Sequence, residues 1–216
     1  SSAASECIRD REHGKLLKET LGYQDCQLSV YMPTFRGHTD DVEGDTYVEQ
    51  VRRYLEVLDQ GMQDNQILLL KLHPLVQKGL DLDSYHHIRP FPSELDTYDV
   101  LNACDVLITD YSSVMYDFAN TGRKIILFAY DLEDYMGHRG MYEDIRSYPF
   151  PIVRTPEALL AELRNPGGSA DREFLDKYCS FDRQQAARNI CRHVLLGKYL
   201  CQEHRMPVTT KKKVLL

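Results

Sequence analysis

The segment Asp105-Val-Leu-Ile-Thr-Asp-Tyr-Ser-Ser-Val-Met-Tyr-Asp-Phe118 decides how the chain folds. Val106, Leu107 and Ile108 form a short apolar run closed by Thr109 and Asp110. That is the pattern of a strand buried on both faces in a parallel sheet. Ser112 and Ser113 follow, and the apolar period then changes, with Val114, Met115, Phe118 and Ala119 on one helical face. A strand that passes into a helix through two hydroxyl residues is suited to holding an anion. The helix's first amides lack partners within the helix, and its dipole places positive potential there. Phosphate is therefore expected at Ser112 and Ser113. The competing reading is that Ser112 only caps the helix.

The same alternation extends in both directions. Upstream, Lys15–Leu21 reads as a short helix ended by Gly22, and Gln27–Met32 as a strand running into Pro33. Gly37–Gly44 is a charged loop. Thr46–Asp59 is an amphipathic helix with Val48, Val51, Leu55 and Leu58 on one side. Gln66–Leu72 is a strand of nearly unbroken aliphatics ending at His73-Pro74, His87–Arg89 a short strand, and Asp96–Cys104 a helix. Downstream, Lys124–Ala129 is a buried strand, Asp131–Gly140 an acidic aromatic loop or short helix, and Pro151–Arg154 a last short strand. Pro156–Arg164 is a helix broken by Asn165-Pro-Gly-Gly168. Two more helices follow, the longer over 182–201. Residues 1–14 read as a flexible leader or the remnant of a preceding region, 15–204 as one Rossmann-like domain, and 205–216 as a disordered basic tail.

Strands alternating with helices predict an α/β fold, a parallel sheet with helices on both faces. Ligands bind such sheets at the carboxyl ends of the strands. Polar residues gather at four of those ends: Pro33-Thr34-Phe35-Arg36, His73-Pro74, Thr109–Ser113 and Tyr130-Asp131. An imidazole at His73 can donate to a phosphate oxygen or take a proton from an attacking hydroxyl, unless it is a buried histidine satisfied by backbone. Arg36 can grip phosphate as a bidentate fork, or be a surface arginine beside an acidic loop. Asp110 and Asp117 flank the serines, where carboxylates would repel phosphate. Asp117 can bond a sugar or glycerol hydroxyl, orient a partner such as His73, or simply favour the helix dipole. Asp131, Glu133 and Asp134 match no metal-ligand spacing and read as a solvated acidic loop. His138-Arg139-Gly140 reads as a cationic lid or a plain surface loop.

The chain has 216 residues and a net charge of −7, which argues against nucleic acid or a general membrane surface as partner. Its six cysteines, at 7, 26, 104, 179, 191 and 201, form no Cys-x-x-Cys pair and fit a reducing compartment. No apolar run approaches the length needed to span a bilayer.

In order, Tyr31-Met-Pro-Thr-Phe-Arg36, Lys71-Leu-His-Pro74, Asp105–Ser113 with Asp117, Phe128-Ala-Tyr-Asp131 and Arg139-Gly-Met-Tyr142 resemble the carboxyl-terminal half of the CDP-glycerol glycerophosphotransferase family, the teichoic-acid polymerases and primases. The likeness runs over about Lys15–Leu200. It implies the second half of a GT-B architecture, with an N-terminal acceptor domain outside this chain, CDP-glycerol as donor, and a polyol-phosphate polymer as acceptor. It also implies cytoplasmic work at the inner face of the cell membrane, peripherally attached, with no cofactor or metal required. Catalytic roles fall on His73 and Asp117, donor-phosphate binding on Ser112, Ser113, Arg36 and Arg139, and further donor contacts on Thr34, Asp110 and Tyr130. The family's second histidine lies in a His-Gly motif of the first domain, and His13-Gly14 stands too near Tyr31 to be it. The rival readings are a GT-B enzyme using CDP-ribitol or a CMP- or UDP-sugar, and a non-catalytic nucleotide-binding module.

Overall fold

A computed structural model describes residues 8–36, 43–141, 143–165, 167–180 and 186–197. Six parallel strands form one sheet: β1 (Gln27–Tyr31), β2 (Gln66–Leu70), β3 (Ile88–Pro90), β4 (Val106–Thr109), β5 (Lys124–Phe128) and β6 (Ile152–Val153), in the order β3-β2-β1-β4-β5-β6. This is the doubly wound, Rossmann-like order, whose direction of winding reverses between β1 and β4. The α/β class and the parallel sheet expected from the sequence are the ones found.

The aliphatic runs account for the sheet. All five residues of β2 and all four of β4 are buried, as strands covered on both faces must be. One core packs α1 (Arg11–Thr20), α4 (Thr97–Ala103) and α5 (Val114–Ala119) against Leu28, Val30, Leu107 and Leu127. The other packs α2 (Glu43–Gly61) and α7 (Pro156–Leu163) against Tyr31, Leu68, Ile108 and Phe128. Burying each such Leu or Ile stabilises the fold by about 1.5–3 kcal/mol before entropy is counted.

Register sets the site. Tyr31 lies opposite both Leu70 and Ile108, and Thr109 opposite Leu127. The chain therefore leaves β1, β2, β4 and β5 at one level of one sheet edge.

Several element bounds differ from expectation. The first helix begins at Arg11, not Lys15, because Asp10 caps it by accepting from the His13 amide at 3.0 Å, and Ile8 before it is buried in the core. Gly14 packs there against Asn102, so closely that a Cβ would sit 2.4 Å from that residue's carbonyl oxygen. The helix after Ser113 has only six residues, so its dipole contributes little. The acidic stretch after Asp131 is a true helix, α6 (Leu132–His138). Two further helices follow β6 and α7, namely α8 (Arg172–Tyr178) and α9 (Ala186–Leu196). Of the expected loop Gly37–Gly44, residues 43–44 belong to α2, which begins at Glu43 and not at Thr46, while residues 37–42, the ends of the last helix and the basic tail lie outside the described residues. Among the described residues, no helix is long and apolar enough to cross a membrane.

Candidate active site

The turn after β1 joins the two sides of the crevice. Phe35 stacks on the His73 ring, with centroids 4.1 Å apart and 29° between the planes. One residue earlier, the Thr34 amide and hydroxyl donate to Asp110 at 2.9 and 2.8 Å. β2 and β4 flank β1, so His73 and Ser112–Ser113 stand at the same edge, on strands about 10 Å apart.

His73 caps a short helix, α3 (Pro74–Gln77), whose Pro74 supplies the preset φ of a first helical residue. Its Nδ1 accepts from the Leu75 amide over a long 3.4 Å, and the ring is otherwise exposed. An accepting Nδ1 leaves the proton on Nε2, which points away from the cap as a donor. The reading of a buried histidine satisfied by backbone does not describe this ring.

Ser112 is half-buried and Ser113 exposed. Ser112 Oγ lies 3.5 Å from the Val114 amide, and Ser113, the capping residue by position, makes no side-chain cap bond. The hydroxyls therefore contribute little to helix capping. The half-buried Asp117 accepts from the Tyr98 hydroxyl at 3.3 Å.

Asp110 is fully buried and faces inward, away from the open edge. Besides Thr34 it receives the Tyr111 amide at 2.6 Å and Arg36 Nη1 at 2.5 Å. Arg36 also donates through Nε and Nη2 to Asp131 at 2.7 and 3.0 Å, and through Nη1 to the Thr34 carbonyl at 2.5 Å. The rings of Tyr111, Tyr130 and Tyr135 surround the guanidinium, with centroids 5.1, 5.5 and 5.7 Å from its carbon. Burial alone disfavours the Arg36 charge, but the Asp131 hydrogen bond and the Asp110 charge outweigh it, and its pKa is raised. Arg36 is thus neither a free fork nor a surface residue. It is the cation of a buried clamp that ties the ends of β1, β4 and β5 together.

Asp131, far from being part of a solvated acidic loop, also accepts from the Tyr111 hydroxyl at 2.8 Å. Among the described residues, no group of three or more His, Cys, Asp and Glu is placed to hold a metal. Tyr130 packs edge-on to Tyr54 and Phe128. Arg139 follows α6 and lies on the surface, its Nη1 3.4 Å from the Phe35 carbonyl.

Two residues beyond those singled out from sequence belong to the same edge. Lys71 Nζ donates to the Thr97 hydroxyl at 2.7 Å and sits 4.0 Å from the centre of the Phe91 ring. Tyr98, next to Thr97, reaches Asp117. A line of polar groups thus runs from the end of β2 to α5. The place of Lys71 two residues before His73 was the signal available for it, since residues of that spacing on an extended chain share a side.

The sequence model for CDP-Glycerol:Poly(glycerophosphate) glycerophosphotransferase matches residues 7–196. The teichoic acid glycerol-phosphate transferase of Staphylococcus aureus is 33% identical over 178 residues, 79% of this chain and 45% of that protein. A ribitol-phosphate polymerase of the same organism, TarK, is 29% identical over 76% of this chain and 33% of its own length. Among solved structures, a variant of the wall teichoic acid polymerase TagF soaked with CDPG superposes with a TM-score of 0.67 at 30% identity, covering 85% of this chain and 46% of that one. The chain spans about half the length of the first relatives it matches. With the matched model spanning nearly all the described residues and the ordered strand-end motifs on one edge, the chain belongs to the CDP-glycerol:poly(glycerophosphate) glycerophosphotransferase family.

Proposed function

We propose that this chain is the donor-binding half of a transferase that moves glycerol phosphate from CDP-glycerol to the end of a polyol-phosphate polymer. The observation that carries the reading is the Thr34-Phe35-Arg36 turn. By holding His73 through Phe35 and Asp110 through Thr34, it keeps the imidazole and the two serine hydroxyls at one open edge. A diphosphate spanning that edge would take the Nε2–H of His73 on one side and the hydroxyls of Ser112 and Ser113 on the other. Asp117 and Tyr98 lie where they can bond the glycerol or ribose hydroxyls.

In the reaction, the terminal hydroxyl oxygen of the polymer forms a bond to the β-phosphorus. The bond from that phosphorus to the bridging oxygen breaks, CMP leaves with the oxygen, and the hydroxyl proton passes to a base. Donors set toward the charge that builds on the phosphoryl oxygens can each lower the barrier by about 3 kcal/mol. With its proton on Nε2, His73 is such a donor. The base that takes the proton is either His73 or a histidine of a further domain, the two candidates that the family resemblance offers. Three arginine- and lysine-independent donors, two hydroxyls and an imidazole, also fit CDP-ribitol, which the likeness to the ribitol-phosphate polymerase supports as the second reading.

Calorimetric titration of the chain with CDP-glycerol, CDP-ribitol, CMP-sialic acid and UDP-sugars tests the assignment. CDP-glycerol is expected to bind most tightly. A preference for a UDP- or CMP-sugar would reject it, and a preference for CDP-ribitol would select the second reading.

A further inference from the structure

A cavity of about 190 Å³ lies at the opposite end of the sheet from His73 and the serines, where β4 and β5 begin. Arg11, Lys15 and Lys18 of α1 line it together with Arg123, against Glu19 and Asp105. Four cations facing two carboxylates make a local excess of positive charge in a chain whose net charge is −7. We propose that this cavity is a site for one small phosphate anion, inorganic phosphate or a phosphomonoester, gripped by Arg11 and Arg123 and separate from the donor crevice.

The half-buried Arg123 is fixed before any ligand arrives. Its Nη1 donates to the Cys104 carbonyl at 2.8 Å and to the Asn102 carbonyl, both at the end of α4. The rest of its guanidinium makes no hydrogen bond among the described residues, so one edge of the fork is anchored and the other is open to a bidentate oxyanion. Arg11 shares the cavity wall and makes no ion pair or hydrogen bond among the described residues. It is the first residue of α1, where a cation opposes the helix dipole. Neither local helix energetics nor a carboxylate partner accounts for its charge there.

The two carboxylates do not neutralise this pair. Asp105 Oδ2 accepts from Lys18 Nζ at 2.6 Å and from the Leu28 amide at 2.8 Å. Glu19 faces Lys15 at 3.8 Å across one turn of α1, an exposed pair that contributes little. Burial pushes the Arg123 pKa down, and the nearby Arg11 charge adds to that against the opposing pull of Asp105. An anion between the two guanidiniums would replace their repulsion with attraction to both. The volume falls below the roughly 300 Å³ at which sites for larger organic ligands begin, so it suits a phosphate group or a short phosphomonoester and excludes a nucleotide.

Isothermal calorimetry of the chain in a phosphate-free buffer tests the site, with inorganic phosphate and glycerol 3-phosphate as separate titrants and sodium chloride of equal ionic strength as the control. Phosphate is expected to bind with a Kd of about 1 mM or tighter. Glycerol 3-phosphate binding as well would mark a phosphomonoester site, and its exclusion a site for the free ion; either result supports the assignment. Arg11→Gln should weaken phosphate about tenfold, the loss typical of a hydrogen bond to a charged group. Arg11→Lys, which keeps the charge without the fork, should fall between the two. Should Arg11→Gln fail to fold, Lys15→Gln serves instead, with a loss of about threefold expected from a neighbouring exposed charge. Phosphate can also enter the donor crevice, so the titration is repeated on Ser112→Ala with Ser113→Ala, where the affinity should be unchanged. The assignment is overturned if phosphate does not bind, if chloride gives the same heat, if Arg11→Gln binds as the parent does, or if affinity is lost only in the serine variant. CDP-glycerol takes no part in the readout, so failure of the donor reading would leave this result standing.

Discussion

Phe35 lies against the face of His73, with the rings 4.1 Å apart, although the two residues belong to turns after different strands. The contact fixes the imidazole from the side while Leu75 holds Nδ1 from below. An aromatic pair of this kind contributes about 0.5–1.5 kcal/mol beyond the area it buries. Phe35→Ala should therefore lower kcat of the proposed transfer by up to about tenfold, with Phe35→Leu between it and the parent. Neither change should shift the melting temperature by more than a few degrees, because both rings are at least partly exposed. Steady-state CMP release measures this, and an unchanged kcat for Phe35→Ala would show that the stacking does not position the imidazole.

Ser112 and Ser113 invite a direct test of capping against ligand binding. A true cap lost to alanine costs about 1 kcal/mol of stability. Here one hydroxyl is at 3.5 Å from its amide and the other makes no cap bond. Ser112→Ala with Ser113→Ala should lower stability by less than about 0.5 kcal/mol in urea titration, while CDP-glycerol affinity falls roughly tenfold or more. A stability loss with donor affinity intact would return the two serines to a capping role.

The clamp makes an acid-side prediction. Burial by itself raises the Asp131 pKa, but the Arg36 hydrogen bond and charge lower it by more, and the net direction is down from 3.8. Its stabilisation is then complete above the ordinary carboxylate value and is lost as pH falls through the lower value held in the fold. Asp131→Asn should lower the urea midpoint at pH 7, and the gap to the parent should narrow below about pH 4. A gap that stays constant from pH 7 to pH 3 would mean that the charge of Asp131 is not what stabilises the clamp.

What could be read from the sequence follows from what a sequence records. Aliphatic runs such as Ile67–Leu70 and Ile125–Phe128 report burial directly, so the strands and their parallel arrangement were legible, though not their order in the sheet. Their polar ends were legible for the same reason, because a ligand edge must be polar where the sheet is not. The partners of individual charged groups were not. Arg36 reads as an available fork in the sequence, and only the fold brings it to Asp131, 95 residues away. Asp110 reads as a flank of the serines, yet its carboxylate turns inward to hold Thr34. The start of α1 was lost because Arg11–Lys15 has no apolar period, while a single capping aspartate and the fit of Gly14 against Asn102 hold it in place.

Lys71 brings an ammonium group to the edge that carries His73 and Asp117. Burial lowers its pKa, the Asp96 charge opposes this in part, and the net direction is down. A lysine shifted this way is penalised for its charge in the free protein. A bound diphosphate would remove that penalty and raise the pKa again, so donor binding should draw a proton onto Lys71 where it has begun to titrate. CDP-glycerol affinity should then decline as pH rises through the lowered Lys71 value. Lys71→Met should weaken donor binding about tenfold at pH 7 and flatten that alkaline decline. Lys71→Arg should restore part of the affinity without the pH dependence, since guanidinium stays charged throughout. Calorimetry from pH 7 to pH 10 in buffers of differing ionisation enthalpy measures both the affinity and the proton taken up. An alkaline decline that persists unchanged in Lys71→Met would place the titrating group elsewhere and leave Lys71 as a structural partner of Thr97 and Phe91.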